Sequence, residues 1–174
     1  MNQFEEVKNR FSEQYSTFQK LCASCAQRIL LRDIARISEQ MGERIVPSNN
    51  GTLILDGNII LRPNNNGRIE IEDRRKTAFL WLFEIQLHSD MLACGPSFKH
   101  EGKLYSVDWL QEFSFEGAFQ KVQELLENVE NGIRFLQSNP GPDGWQYDYY
   151  DAHEDKTCKS LEKVLEIVLS QEPW

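Results

Sequence analysis

Apolar residues recur with a helical period from Phe4 to about Met41. Phe4, Phe11, Phe18 and Cys25 fall every seven positions, Tyr15, Cys22 and Ile29 form a parallel row, and Val7 and Leu21 fill the gap between them. One broad apolar face of this kind predicts an amphipathic helix, and Gly42 supplies a stop signal just beyond it. A straight helix over this stretch would be roughly 57 Å long, against a radius of gyration of about 16 Å for a compact body of this size. The helix is therefore expected to break near Asp33. The alternative is that it projects and packs on another copy through its 4–29 face.

From Arg44 to His88 the period becomes two. TLIL and NIILR are joined by Asp56-Gly57, a tight-turn signal, and Asn64-Asn65-Asn66-Gly67 makes the next turn before RIEIE. Phe79, Trp81, Phe83, Ile85 and Leu87 then alternate with Ala78, Leu80, Leu82, Glu84, Gln86 and His88, as in a long strand with one wholly apolar face. Gly95-Pro96 marks a loop and KLYSVDWL a short strand or a bend. Ala118, Phe119, Val122, Leu125, Leu126, Val129 and Ile133 predict a helix over 116–137. Leu161, Val164, Leu165, Val168 and Leu169 predict another over 155–171. The fold class that follows is α+β in a single domain, 1–174. It has a long N-terminal helix (1–41), an antiparallel meander of about four to five strands (44–88) and two C-terminal helices.

Charge changes the picture more than composition does. Of a net −8, residues 1–100 contribute +1 (13 Lys/Arg, 12 Asp/Glu) and residues 101–174 contribute −9 (6 Lys/Arg, 15 Asp/Glu). An acidic surface repels phosphate backbones and attracts basic partners, which argues against nucleic acid as a ligand. The N-terminus lacks the apolar core of a signal peptide. The most apolar stretch, AFLWLFEIQL, is about half a membrane span and contains Glu84 and Gln86. A cytoplasmic protein with no membrane partner is expected.

Reactive residue types are present without reactive spacing. Cys22 and Cys25 form a C-x-x-C pair, but both fall on the apolar seam in mid-helix, and Cys94 and Cys158 stand alone, so core packing is expected. His88, His100 and His153 belong to no hydrolase or metalloprotease motif. His153 beside Asp151, Glu154 and Asp155 lacks the alternation and glycine of a calcium loop. No metal or cofactor is expected. Arg28, Arg32 and Arg36 share one helix face, and with Arg74, Arg75 and Lys76 they are expected to pair with the acidic half of the same chain.

One pattern resembles an enzyme class. Asp56 ends an apolar strand and Glu84-Ile85-Gln86 lies on a later one, with Lys76 between them. This is similar to metal-dependent nucleases of the PD-(D/E)xK class, with Gln86 where that class usually has lysine. The resemblance implies Mg²⁺ held by Asp56 and Glu84 and activating a water. Against it, Asp56 belongs to a hairpin turn, and Glu84 and Gln86 suit the solvent side of a strand.

The stretch PGPDGWQYDYYDAHEDK (140–156) carries the main functional expectation. Trp145, Tyr147, Asp148, Tyr149, Tyr150, Asp151, Glu154 and Asp155 place rings among carboxylates, with no Lys or Arg between Arg134 and Lys156. An extended backbone would put Tyr147 and Tyr149 on one side and Asp148 and Tyr150 on the other. Read as a loop presented by Pro140, Gly141, Pro142 and Gly144, it offers aromatic anchors and carboxylates to a basic protein surface. Together with the Glu face of the 116–137 helix (Glu116, Glu124, Glu127, Glu130) it points to a non-enzymatic acidic binding protein of the inhibitor, immunity or chaperone kind.

Overall fold

The computed structural model describes residues 3–76, 79–107 and 115–171. Helix α1 (Gln3–Met41) runs unbroken for 39 residues, and Gly42, at φ +54°, ends it. The expected break near Asp33 is absent. Its premise was a single compact body, whereas the chain divides into two compact units. The first comprises residues up to Cys22 together with 89–140, and the second comprises 23–88 together with 141–174, so each unit takes its own portion of α1. No helix among the described residues is long and apolar enough to cross a membrane.

The second unit is built on a seven-stranded antiparallel sheet. The expected meander appears as β1 (Ile45–Pro47), β2 (Leu53–Leu55), β3 (Ile59–Pro63), β4 (Arg68–Asp73) and β5 (Phe79–His88). The strands β6 (Ser97–His100) and β7 (Lys103–Ser106) belong to the first unit, and residues 108–110 of the KLYSVDWL stretch lie outside the described residues. The sheet continues with β8 (Gln146–Asp151) and β9 (Lys156–Cys158), in the order β1-β2-β3-β4-β5-β8-β9. The segment read as a presented loop is therefore largely two strands, and β8 lies between β5 and β9. The last helix, α3 (Leu161–Ser170), consequently starts later than expected, with Ser160 Oγ accepting from Lys163 N as its N-cap.

Pleating sorts the sheet into two faces. Ile45, Leu55, Ile59, Leu61, Ile69, Ile71, Trp81, Phe83, Ile85, Tyr149 and Cys158 line one face and are buried. Each fully buried aliphatic chain among them contributes about 1.5–3 kcal/mol. Cys25, Ala26, Ile29, Leu30 and Ile37 of α1 are also buried in this unit, as are Leu161, Val164, Leu165 and Val168 of α3. One close approach and one polar tie lock the layers. Gly67, in the β3–β4 turn, sits so close to α1 that a Cβ there would lie 2.4 Å from the Ala26 Cβ. Arg75 bonds buried Asp73 at 2.8 and 2.9 Å and reaches the carbonyls of Val168 and Gln171 at 3.1 and 3.4 Å, capping α3. The hydrogen bond from Arg75 holds the Asp73 carboxyl below its usual range despite burial.

The first unit pairs the start of α1 with α2 (Ala118–Ser138) and the β6–β7 hairpin. Phe4 meets Phe119 at 6.3 Å between ring centroids, and Phe18 packs on Gly132, so the two helices run side by side in the same direction. Gly132 is the residue that lets them approach: a Cβ there would lie 2.8 Å from the Phe18 ring and 3.1 Å from Cys94 Sγ. Phe98, Tyr105 and Phe115 cluster on the hairpin side, with His100 stacked on Phe115 at 4.0 Å.

Candidate functional site

The fold answers what the aromatic and acidic residues of 143–155 do. Tyr147 and Tyr149 point from β8 toward α1, where both hydroxyls donate to Oδ2 of Asp33 at 2.7 Å. Asp33 is 0% exposed. Its Oδ1 accepts from Arg36 at 2.8 Å, and Arg36 also forms a two-pronged bond to Glu162 of α3 at 2.7 and 3.0 Å. Arg32 bonds the Tyr147 hydroxyl and the Pro142 carbonyl at 3.0 Å each, and its guanidinium lies 5.9 Å from the Tyr147 ring centre. The cations missing from 135–155 thus come from α1. Arginines of the same chain pair with these rings and carboxylates.

The network carries a pH signature. Burial, the Asp33 charge and the hydrogen bond to it push the Tyr149 phenol far above the usual tyrosine range. Burial and the Asp33 hydrogen bond do the same to Tyr147, with Arg32 opposing. The folded protein therefore holds both protons more tightly than the unfolded chain does. This contribution to stability is complete below about pH 10 and is lost as pH rises beyond it. Urea unfolding followed from about pH 8 to about pH 11 should show the midpoint falling at the alkaline end. Tyr149→Phe should flatten the fall, and an alkaline midpoint equal to the neutral one in the wild type would contradict this reading.

The remaining residues of the segment serve the sheet. Asp148 faces the opposite side of β8, is buried, and lies 2.6 Å from His88 Nε2 and 3.0 Å from Lys159 Nζ. Burial pushes its carboxyl up, but the hydrogen bonds from His88 and Lys159 outweigh burial and hold it below the usual range. Asp151 is buried and shapes the β8–β9 turn by accepting from the backbone N–H groups of His153 and Glu154 at 2.9 and 3.3 Å. Tyr150 is half-buried with its hydroxyl on Asp155 at 2.9 Å, and Trp145 is half-buried beside Gly141. Only Glu154 and Asp155, among the eight residues expected to meet a partner, are exposed.

The nuclease-like residues are not brought together. Asp56 sits in the β2–β3 turn, held by Arg44 at 2.7 and 2.9 Å, whereas Glu84 lies on β5 and pairs with Arg68 at 3.0 Å. Strands β3 and β4 intervene, so the two carboxylates are about 14 Å apart across the sheet alone. Gln86 is exposed beside Asp148. Among the described residues no group of three or more His, Cys, Asp or Glu is placed to hold a metal ion. The four cysteines are thiols, and burial pushes those of Cys25, Cys94 and Cys158 up, away from the reactive thiolate.

On the 4–29 helix face, Phe11, Phe18, Cys25 and Ile29 are buried within the single chain, whereas Phe4, Val7, Tyr15, Leu21 and Cys22 are half-buried. Folding also redistributes charge. With α1 shared, the first unit holds 7 Lys/Arg and 11 Asp/Glu and the second holds 12 and 16, so each carries −4.

The first unit has an open groove of about 370 Å³ between α1 and α2. Val7 and Leu126 contribute apolar surface, while Glu6, Glu127, Glu130, Gln123 and Arg10 supply the polar lining. Arg10 lies 2.7 Å from Glu130. The Glu row of α2 was legible in the sequence, but its opposition to Glu6 across a groove was not, because nothing local fixes the facing of α1 and α2. No protein-family model, no curated protein and no solved structure matches the chain.

Proposed function

We propose that the protein is a non-enzymatic acidic binding module, acting in the cytoplasm, that holds a basic protein partner in the manner of an inhibitor, immunity protein or chaperone. The observation that carries this reading is the α1–α2 groove, where three glutamates line apolar surface between two helices. Two helices running side by side form a trough suited to a third, and a helix with apolar anchors at i, i+3 and i+4 would meet Val7 and Leu126. Lysine or arginine on its flanks would meet Glu6, Glu127 and Glu130. Arg10, itself exposed, stands where such a side chain would go and pairs with half-buried Glu130 at 2.7 Å, a contact an incoming cation would have to replace.

The test uses the whole protein and a labelled basic amphipathic helical peptide, with binding followed by fluorescence anisotropy at low and high salt. Affinity should fall with salt. A variant with Glu6, Glu127 and Glu130 all changed to glutamine should bind tenfold or more weakly with an unaltered fold. Equal affinity in that variant, or indifference to salt, rejects the groove as the site.

A further inference from the structure

The second face of the seven-stranded sheet has a specific pattern. Register places Val46, Ile54, Ile60, Glu72 and Leu80 in one row across β1 to β5, with Leu82 beside Leu80 on the same face. Val46 and Leu80 are 53% and 52% exposed, Ile54 and Leu82 are half-buried, and Ile60 is buried. The charges between them are already matched in the plane of the sheet. Arg62 bonds Glu72 at 2.6 Å and Glu70 at 3.4 Å, and Arg68 bonds Glu84 at 3.0 Å. Two arginines against three glutamates leave this region at −1 in a chain of −8.

We infer that this face is the contact surface between two copies of the chain. The arginine–glutamate ladder leaves a surplus of only one negative charge to a charged partner. A second copy brings the same near-neutral, internally paired surface and the same apolar row, and a two-fold contact of a patch with itself asks for that self-compatibility. No arginine is buried unpaired when the faces meet, because each keeps a glutamate of its own chain. Strands of three to ten residues at about 4.8 Å spacing present roughly 600 Å² on this face. Two such faces bury about 1,200 Å², the lower bound of specific protein interfaces. Edge-to-edge pairing is the competing route, and both edges are blunt. β1 and β9 have three residues each, β1 contains Pro47, and β9 begins with Lys156.

Sedimentation velocity over a wide concentration range, on the full chain, decides the matter. The wild type should shift reversibly from a 20.3 kDa species to one of twice that mass. Val46→Glu and Leu80→Glu should each move the midpoint a hundredfold or more toward monomer. Both positions are more than half exposed, so far-UV circular dichroism and the thermal transition measured on monomer should be unchanged. Glu166→Gln, on the exposed side of α3, should leave the midpoint alone. A chain that stays monomeric up to its solubility limit overturns the inference, as does a dimer that survives both substitutions.

Discussion

Asp33→Ala should destabilise the protein by about 3–5 kcal/mol, the loss typical of removing one member of a buried charged network. That is a large part of the 5–15 kcal/mol that holds an ordinary domain together. The substitution strips the Tyr149 hydroxyl, in a fully buried side chain, of the acceptor it bonds at 2.7 Å. It takes the same acceptor from Tyr147 and one of the three carboxylate bonds from Arg36. Urea denaturation measures the effect. Tyr149→Phe alone should cost about 1.5–3 kcal/mol, as for a lost bond to a charged group. Replacing Asp33, Tyr147 and Tyr149 together by leucine and two phenylalanines should cost less than Asp33→Ala, since no tyrosine hydroxyl is then left without its acceptor. A neutral outcome for Asp33→Ala would mean that water replaces the carboxylate and that the network is not closed to solvent.

Gly67→Ala combines two penalties and should cost about 2–5 kcal/mol. An L-residue at the observed φ of +72° loses about 1–2 kcal/mol. The new methyl group would also lie 2.4 Å from the Ala26 Cβ and 2.9 Å from the Ala26 carbonyl carbon, so α1 must shift, an overpacking cost of about 1–3 kcal/mol. Gly57 is the internal control, with φ of +76° and nothing within 4 Å of a Cβ. Gly57→Ala should therefore show the conformational penalty alone. Equal urea midpoints for the two variants would show that the β3–β4 turn does not bear on α1.

Periodic elements with one apolar face were legible in the sequence. The α1 seam, the five strands of the meander, the Asp56-Gly57 and Asn64–Gly67 turns and the α2 row need only local sterics and burial. β8 was not, because its inward row is Tyr147, Tyr149 and Asp151, whose polar tips disguise a buried face. Their burial depends on Asp33, more than a hundred residues earlier, and no local pattern announces such a partner. Charge misled for the same reason. The +1 and −9 halves of the sequence are interleaved by folding, so Arg32 and Arg36 meet the tyrosines of β8 and Glu162. The pairing expected of Arg32 and Arg36 with the chain's own acids is observed. It removes several of the carboxylates and rings that an exposed acidic loop would have offered.

The pairing of β5 with β8 has a consequence for how the chain is made. β5 is ten residues long, FLWLFEIQLH, and its partner on one side begins only at Gln146. A ribosome that has released the meander still has more than fifty residues to add before that edge can be closed. Throughout that interval the nascent chain carries a long, apolar, unpaired strand edge, the kind of template that invites aggregation. Closing it means bringing together segments distant in sequence, the slow kind of contact. Products ending between these strands would keep that edge open and should aggregate more readily than the full chain.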